Sequence, residues 1–273
     1  MFRIGGTSDN PSGSNASVRT ALLCLLLTCA LSAHAEDRVA AARQNRTRAL
    51  TELFAAAGLS YPPEELYLRA FKEERQLEVW AGARGQPLVK VKTYPFCAAS
   101  GELGPKRQRG DLQVPEGFYT INLFNPRSNF HLSMRVSYPN ESDRLLGRKD
   151  PGDAIMVHGN CVSIGCIAIE DEPIEELYVL TLDSHAKMGR QVPIHIFPRR
   201  LDAEGLAELK KLPHATEALL AFWQGLEPGW RFFEETRRPP QVTVDPKTGA
   251  YRVRAEKPRA ATSRTRAGRG GRP

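Results

Sequence analysis

Two apolar runs, Ile155-Met156-Val157 and Ile167-Ala168-Ile169, are separated by a short polar stretch containing two glycines. The first run reads as a buried strand, and nine residues follow before the chain turns apolar again. That stretch opens on His158-Gly159 and closes on Ser163-Ile164-Gly165-Cys166. A thiol becomes a nucleophile near neutral pH when it has a base close by and backbone donors for the oxyanion it creates. His158 is the candidate base and Cys166 the candidate nucleophile. Gly165 lets N–H groups approach a substrate carbonyl closely, and Ser163 either caps the turn or helps hold the oxyanion.

The rest of the chain reads as short strands with a few helices. Apolar spacing over residues 38–57 predicts a helix closed by Gly58. Strand patterns cover Leu66–Lys72, Gln76–Ala81 and Leu88–Tyr94, joined as a meander. Further strands are expected over Gly117–Phe124, Phe130–Tyr138, Ala154–His158 and Val192–Phe197. Helices are expected from Pro173 to Leu180, Leu201 to Leu212 and Ala215 to Gln224. The fold class is therefore mostly β with peripheral helices, an α+β arrangement of short, largely antiparallel strands.

Of the formal charge of +7, six units sit in a tail carrying Lys257, Arg259, Arg264, Arg266, Arg269 and Arg272, and the stretch 36–256 is neutral. The basic balance thus describes the tail, which has no aromatic residue to stack on bases and reads as a solvated end rather than a nucleic-acid arm. Residues 1–35 read as a cleaved secretory signal: Ala21 to Leu31 is too short an apolar run to span a bilayer, and Ala33-His34-Ala35 suits signal cleavage. Cys29 invites a lipoprotein reading, but Thr28 before it fits poorly. The organisation expected is a signal over 1–35, a helical segment over 36–63, a catalytic domain over 64–200, helices over 201–236 and a basic tail over 237–273. Export places the protein in the periplasm.

Several separated motifs carry a family resemblance. His158-Gly159 followed by Ser163-Ile164-Gly165-Cys166 resembles the active-site signature of the L,D-transpeptidase (YkuD-type) family. Gly104-Pro105-Lys106, Pro115-Glu116-Gly117-Phe118-Tyr119, Asn125-Pro126-Arg127-Ser128-Asn129-Phe130-His131 and Tyr138-Pro139-Asn140 look like its YafK-like branch, which includes an amidase that releases outer-membrane lipoprotein from peptidoglycan. The resemblance spans about residues 64–198. It implies a β-sandwich or barrel-like fold and a cysteine enzyme that needs no cofactor and no metal. It further implies acylation of Cys166 by a peptidoglycan stem peptide at diaminopimelate, and a peptidoglycan-bound lipoprotein as partner. Cross-linking members carry His within Ser-His-Gly-Cys and Arg two residues after the cysteine, where this chain has Ile164 and Ala168. That difference favours hydrolysis over 3–3 cross-linking or lipoprotein attachment. Arg69, Lys106 and Arg144 are the candidates for the missing substrate-binding charge, and the Gly159 carbonyl for orienting His158.

Other readings compete. The mature chain has Cys97, Cys161 and Cys166, so Cys97–Cys161 pairing would leave Cys166 free and Cys161–Cys166 pairing would silence it. Cys97, His158, Cys161 and Cys166 form a candidate zinc set, though without the tight Cys-x₂-Cys knuckle, which would make the domain a structural or wall-binding module. A catalytic Cys166 is expected to be a fast-reacting thiol of low pKa. Glu170, Asp171 and Glu172 read as a solvated helix start or as a contact for a substrate amine. His195 reads as packing on its strand.

Overall fold

The structure, a computed structural model, describes residues 38–254. The expected signal and the tail beyond 254 lie outside the described residues. Helix α1 covers 38–56, and Gly58 follows it at φ +70°, the left-handed turn that glycine adopts without penalty. Strands β1 (Glu65–Phe71), β2 (Gln76–Gly82) and β3 (Val89–Pro95) form an antiparallel meander. There follow β4 (Gly117–Asn125), β5 (Ser133–Val136), α2 (Glu141–Leu146), β6 (Met156–His158), β7 (Ile167–Ala168), α3 (Asp171–Met188) and β8 (Val192–Phe197). Helices α4 (Ala203–Lys210) and α5 (Glu217–Thr236) and a hairpin of β9 (Gln241–Val244) and β10 (Tyr251–Arg254) complete the chain.

One curled eight-stranded sheet runs in the order β3-β2-β1-β8-β4-β5-β6-β7. β8 joins its two halves, parallel to β1 and antiparallel to β4. β6 and β7 are also parallel, with His158 opposite Ala168. The class is α+β, as the strand patterns predict, with these two parallel pairs as the exceptions to an antiparallel sheet.

Strand β1 shows how both faces are covered. Alternate residues point to opposite faces, and β1 is buried almost throughout. Leu66, Leu68 and Ala70 join the main core, with Leu50 and Phe54 of α1 and Ile174 and Leu177 of α3. On the other face Tyr67 packs with Trp80 and Phe233, and Phe71 joins Phe197, Trp223 and Leu226. Arg69 falls between them, 1% exposed, with Nη2 2.8 Å from Glu78 Oε2 and Nη1 2.6 Å from Glu234 Oε1 of α5. Strand parity thus makes Arg69 a buried brace between sheet and α5, which corrects its expected substrate-binding role.

Helix α5 outruns the expected end at Gln224 and passes through Pro228 to Thr236. Its buried residues Trp223, Leu226, Gly229 and Phe233 recur at helical spacing, so the apolar stripe continues past the proline. At Gly229 a Cβ would lie 2.5 Å from the Phe118 ring, so glycine there lets the helix lie against β4. The expected tail from 237 is corrected up to 254, because the β9–β10 hairpin docks on the body of the fold. Tyr251 sits edge-on to Phe118 with ring centroids 4.9 Å apart, and its hydroxyl accepts from Asn140 Nδ2 at 2.8 Å. The two-residue β7, the short α2 and this hairpin were too brief or too polar to read from periodicity.

Candidate active site

The loop between β6 and β7 is braced at both ends. Cys161 is bridged to Cys97, which follows β3, and Cys97 N–H donates to Ala168 O at 3.0 Å. The bridge resolves the cysteine alternatives: Cys166 is the free thiol among the described residues. It also removes two thiolates from the zinc set, and no group of three or more metal-ligating side chains occurs among the described residues.

His158 ends β6 and is 2% exposed. Its Nδ1 lies 2.5 Å from the carbonyl of Gly159, which can only accept, so Nδ1 carries the proton and Nε2 is left as the basic nitrogen. The Phe130 ring covers it, with centroids 4.7 Å apart. Burial pulls the imidazole below its ordinary value, against the pull of the Gly159 carbonyl. His158 is therefore neutral at pH 7.

Cys166 precedes β7 and shares a cleft of about 530 Å³ with His158, Lys106, Arg109 and Ile164. Burial pushes its thiol up, while a backbone group of Met156 and the Lys106 ammonium favour the thiolate. This direction is opposite to the low-pKa thiol expected from the motif. Thiol and imidazole are both neutral at rest, which suits proton abstraction by the base on demand rather than a standing ion pair.

Ser163 has the geometry of a turn cap. Its hydroxyl accepts from Cys166 N–H at 3.0 Å and Gly165 N–H at 3.3 Å, and donates to Cys166 O at 2.8 Å. The two expected oxyanion donors therefore converge on one point, taken by that hydroxyl. Gly165 has φ +125°, and a Cβ there would lie 3.0 Å from the Gln113 carbonyl, so glycine is required.

Of the three candidate cations, Lys106 alone lines the cleft. It is 5% exposed, held by Asp111 Oδ1 at 2.5 Å and the Gln108 carbonyl at 3.0 Å. Arg144 points into solvent from α2 and does not line it, because the buried side of that helix is taken by Ser142 and Asp143. Arg109, unremarked in the sequence, lines the cleft and is bonded to Asp150 and Asp153. Its signal was its place in the Gly-Pro-Lys loop. Ala168 is fully buried and bridges to Ala98, and Ile164 is 79% exposed at the cleft mouth. His195 packs as expected, with Nδ1 2.7 Å from the Tyr67 hydroxyl.

The family model of the L,D-transpeptidase catalytic domain, YkuD, matches residues 66–194. The chain belongs to this family, whose members act on peptidoglycan. It is 35% identical over 181 residues to the Escherichia coli K12 protein named "Putative L,D-transpeptidase YafK", covering 66% of this chain and 70% of that one. Among solved structures, the K307A mutant of the helical cell shape determining protein Pgp2 from Campylobacter jejuni superposes with a TM-score of 0.41 at 19% identity, over 63% of this chain and 58% of that one. Bdellovibrio bacteriovorus Bd1075 superposes with a TM-score of 0.36 at 26% identity, over 50% of this chain and 48% of that one. Both superpositions span less than two thirds of either chain.

Proposed function

We propose that this is an exported cysteine acyl-transfer enzyme that opens an amide at diaminopimelate in peptidoglycan stem peptides. Its preferred bond is the one joining a lipoprotein's terminal lysine to peptidoglycan. The observation that carries the reading is the pairing, in one cleft, of the free thiol of Cys166 with a neutral His158 whose Nε2 is left basic.

The Cys166 thiol gives its proton to His158 Nε2 and its sulfur attacks the amide carbonyl. The tetrahedral oxyanion competes with the Ser163 hydroxyl for the Gly165 and Cys166 N–H groups. The carbon–nitrogen bond then breaks, and the proton on His158 passes to the leaving amine. Water, deprotonated by the same nitrogen, cleaves the thioester, releasing the acid and restoring the thiol.

Hydrolysis is supported by Ala168, which is 0% exposed and hemmed in by β6 and Ala98, so an arginine at this position would have to displace the sheet edge. A substrate carboxylate would meet Lys106, which lines the cleft, as a point charge rather than a bidentate fork, in competition with Asp111. Export is supported by the Cys97–Cys161 bridge, since disulfides persist in oxidising compartments. No described helix is long and apolar enough to cross a membrane.

The test offers the purified protein tetrapeptide muropeptides and peptidoglycan fragments bearing lipoprotein peptide, with products read by mass spectrometry. Release of lipoprotein peptide without new cross-linked dimers is expected. Accumulating 3–3 dimers with the lipoprotein linkage intact would replace hydrolysis by transpeptidation. No product from either substrate would favour a wall-binding module.

A further inference from the structure

A single peptide unit, the amide between Gly159 and Asn160, carries two hydrogen bonds that point in opposite directions. Its carbonyl accepts from His158 Nδ1 at 2.5 Å. Its N–H, on Asn160, donates to Asp171 Oδ1 at 2.8 Å. An amide polarises as a unit: a carboxylate on its N–H moves electron density to its oxygen and makes that oxygen a stronger acceptor. Chains of this kind hold a ring in one tautomer and one orientation, much as carboxylates behind imidazole ligands do in metal sites.

The local sequence is fitted to this contact. Asp171 is the first residue of α3, where the helix favours negative charge. Asn160 takes φ +60°, which asparagine tolerates better than most residues and which turns the amide into position. Gly159 has no room for a side chain, since a Cβ would lie 2.6 Å from Asp171 Oδ1, 2.9 Å from Ile174 Cγ2 and 3.0 Å from the Phe130 carbonyl. The His-Gly pair therefore serves two ends: the histidine supplies the ring, and the glycine lets a carboxylate press against the main chain behind it.

We propose that Asp171 is a positioning residue of this site, acting on His158 through the Gly159–Asn160 amide. It fixes the imidazole with Nε2 toward the cleft and makes the imidazolium easier to form during acyl transfer. No proton reaches Asp171, because the amide hydrogen stays on nitrogen. The arrangement is a Cys–His–Asp relay with a backbone amide inserted between the last two members. The other titratable or charged groups lining the cleft are Cys166, Lys106, Arg109 and Asp153. Behind Phe130, His131 is paired with Glu175 of α3.

The inference rests on His158 being the base, but its physical content is measurable without turnover. The imidazole of His158 is titrated by NMR in the full chain, in wild type, Asp171→Asn and Asp171→Ala. Removing the carboxylate is expected to lower the His158 midpoint by about 0.5 pH unit, a small effect for a nearby charge because Asp171 is exposed. Asp171→Asn keeps an acceptor at Oδ1 and should preserve the Nδ1–H tautomer and the fold, while Asp171→Ala should loosen the tautomer as well. On an active substrate, Asp171→Ala should lower kcat roughly 10-fold with KM unchanged, and the acid limb of the rate should follow the NMR midpoint. An unaltered His158 titration in a folded Asp171→Asn protein overturns the relay. A wild type inactive on all peptidoglycan substrates overturns the proposed function instead, and the titration still decides the role of Asp171.

Discussion

The indole N–H of Trp223 donates to Glu116 Oε2 at 2.7 Å, joining residues 107 positions apart. The other oxygen, Glu116 Oε1, accepts from Gly104 N–H at 2.7 Å and lies 2.9 Å from Lys72 Nζ. α5 is thereby tied to the loop that carries Lys106 into the cleft. Trp223→Phe keeps the ring and removes the donor, leaving a buried carboxylate oxygen short of a partner. We expect a loss of about 1–3 kcal/mol in a denaturant melt. A melt identical to wild type would mean that the bond is dispensable.

Cys166→Ala should abolish product formation, and His158→Gln should cost at least ~10²-fold in kcat, the low end for a general base. Cys161→Ser should keep the chemistry but lose about 4 kcal/mol of stability, as for a bridge closing a loop of this size, with a sequence separation of 64. Equal loss of turnover in Cys161→Ser and Cys166→Ala, measured well below the melting temperature, would make Cys161 part of the chemistry.

The pH profile follows from the two neutral groups. Burial lowers His158, so its basic form persists below pH 6.5 and the acid limb of kcat/KM should fall beneath that value. Burial raises the Cys166 thiol above its ordinary value, so alkylation by iodoacetamide in the free enzyme should keep rising with pH beyond that of an ordinary thiol. A thiol that alkylates fully at pH 7 would reveal a standing thiolate–imidazolium pair.

Arg69→Met should unfold more readily by ~3 kcal/mol, since Glu78 and Glu234 lose their shared buried cation. The folded fraction should retain wild-type KM. A raised KM at unchanged stability would return Arg69 to the substrate.

His195 gives an acid-stability test. Burial, with the charge of Arg69 nearby, lowers its pKa to about 3, while the unfolded chain titrates it near 6.5. Between those values the unfolded state binds more protons, so stability falls as pH drops, by on the order of 1.4 kcal/mol per unit. Asp143, raised to about 6 by burial, works in the opposite sense, because its folded form takes up the proton first. His195→Gln keeps an acceptor for the Tyr67 hydroxyl and should flatten the decline from pH 6 to 4. An unchanged slope would assign the acid limb to carboxylates.

Much of this was legible in the residues. Strong periods gave β1 to β4 and the start of α3, and the His-Gly and Ser-x-Gly-Cys spacing gave the loop that puts His158 and Cys166 in one cleft. Partners far apart in sequence were not legible. Arg69 in Leu68-Arg69-Ala70 looks like any strand cation facing water until α5 brings Glu234 over it. Asp171 is one of three consecutive acids, and only the fold of the loop shows which one meets the Asn160 N–H. The Cys166 thiol was expected to be acidic because its motif is catalytic, yet burial, which spacing does not report, has the opposite sign.

The Arg69–Glu234 brace bears on what can be inherited or grafted as a unit. The family match ends at residue 194, before α4, α5 and the hairpin, yet Glu234 neutralises a cation in the central sheet. A recombination breakpoint at that boundary would cut α5 away from the sheet it covers and remove one of the two carboxylates that hold Arg69. The module that can travel intact between genes therefore extends through the end of β10, about sixty residues beyond the portion that sequence comparison marks as the domain.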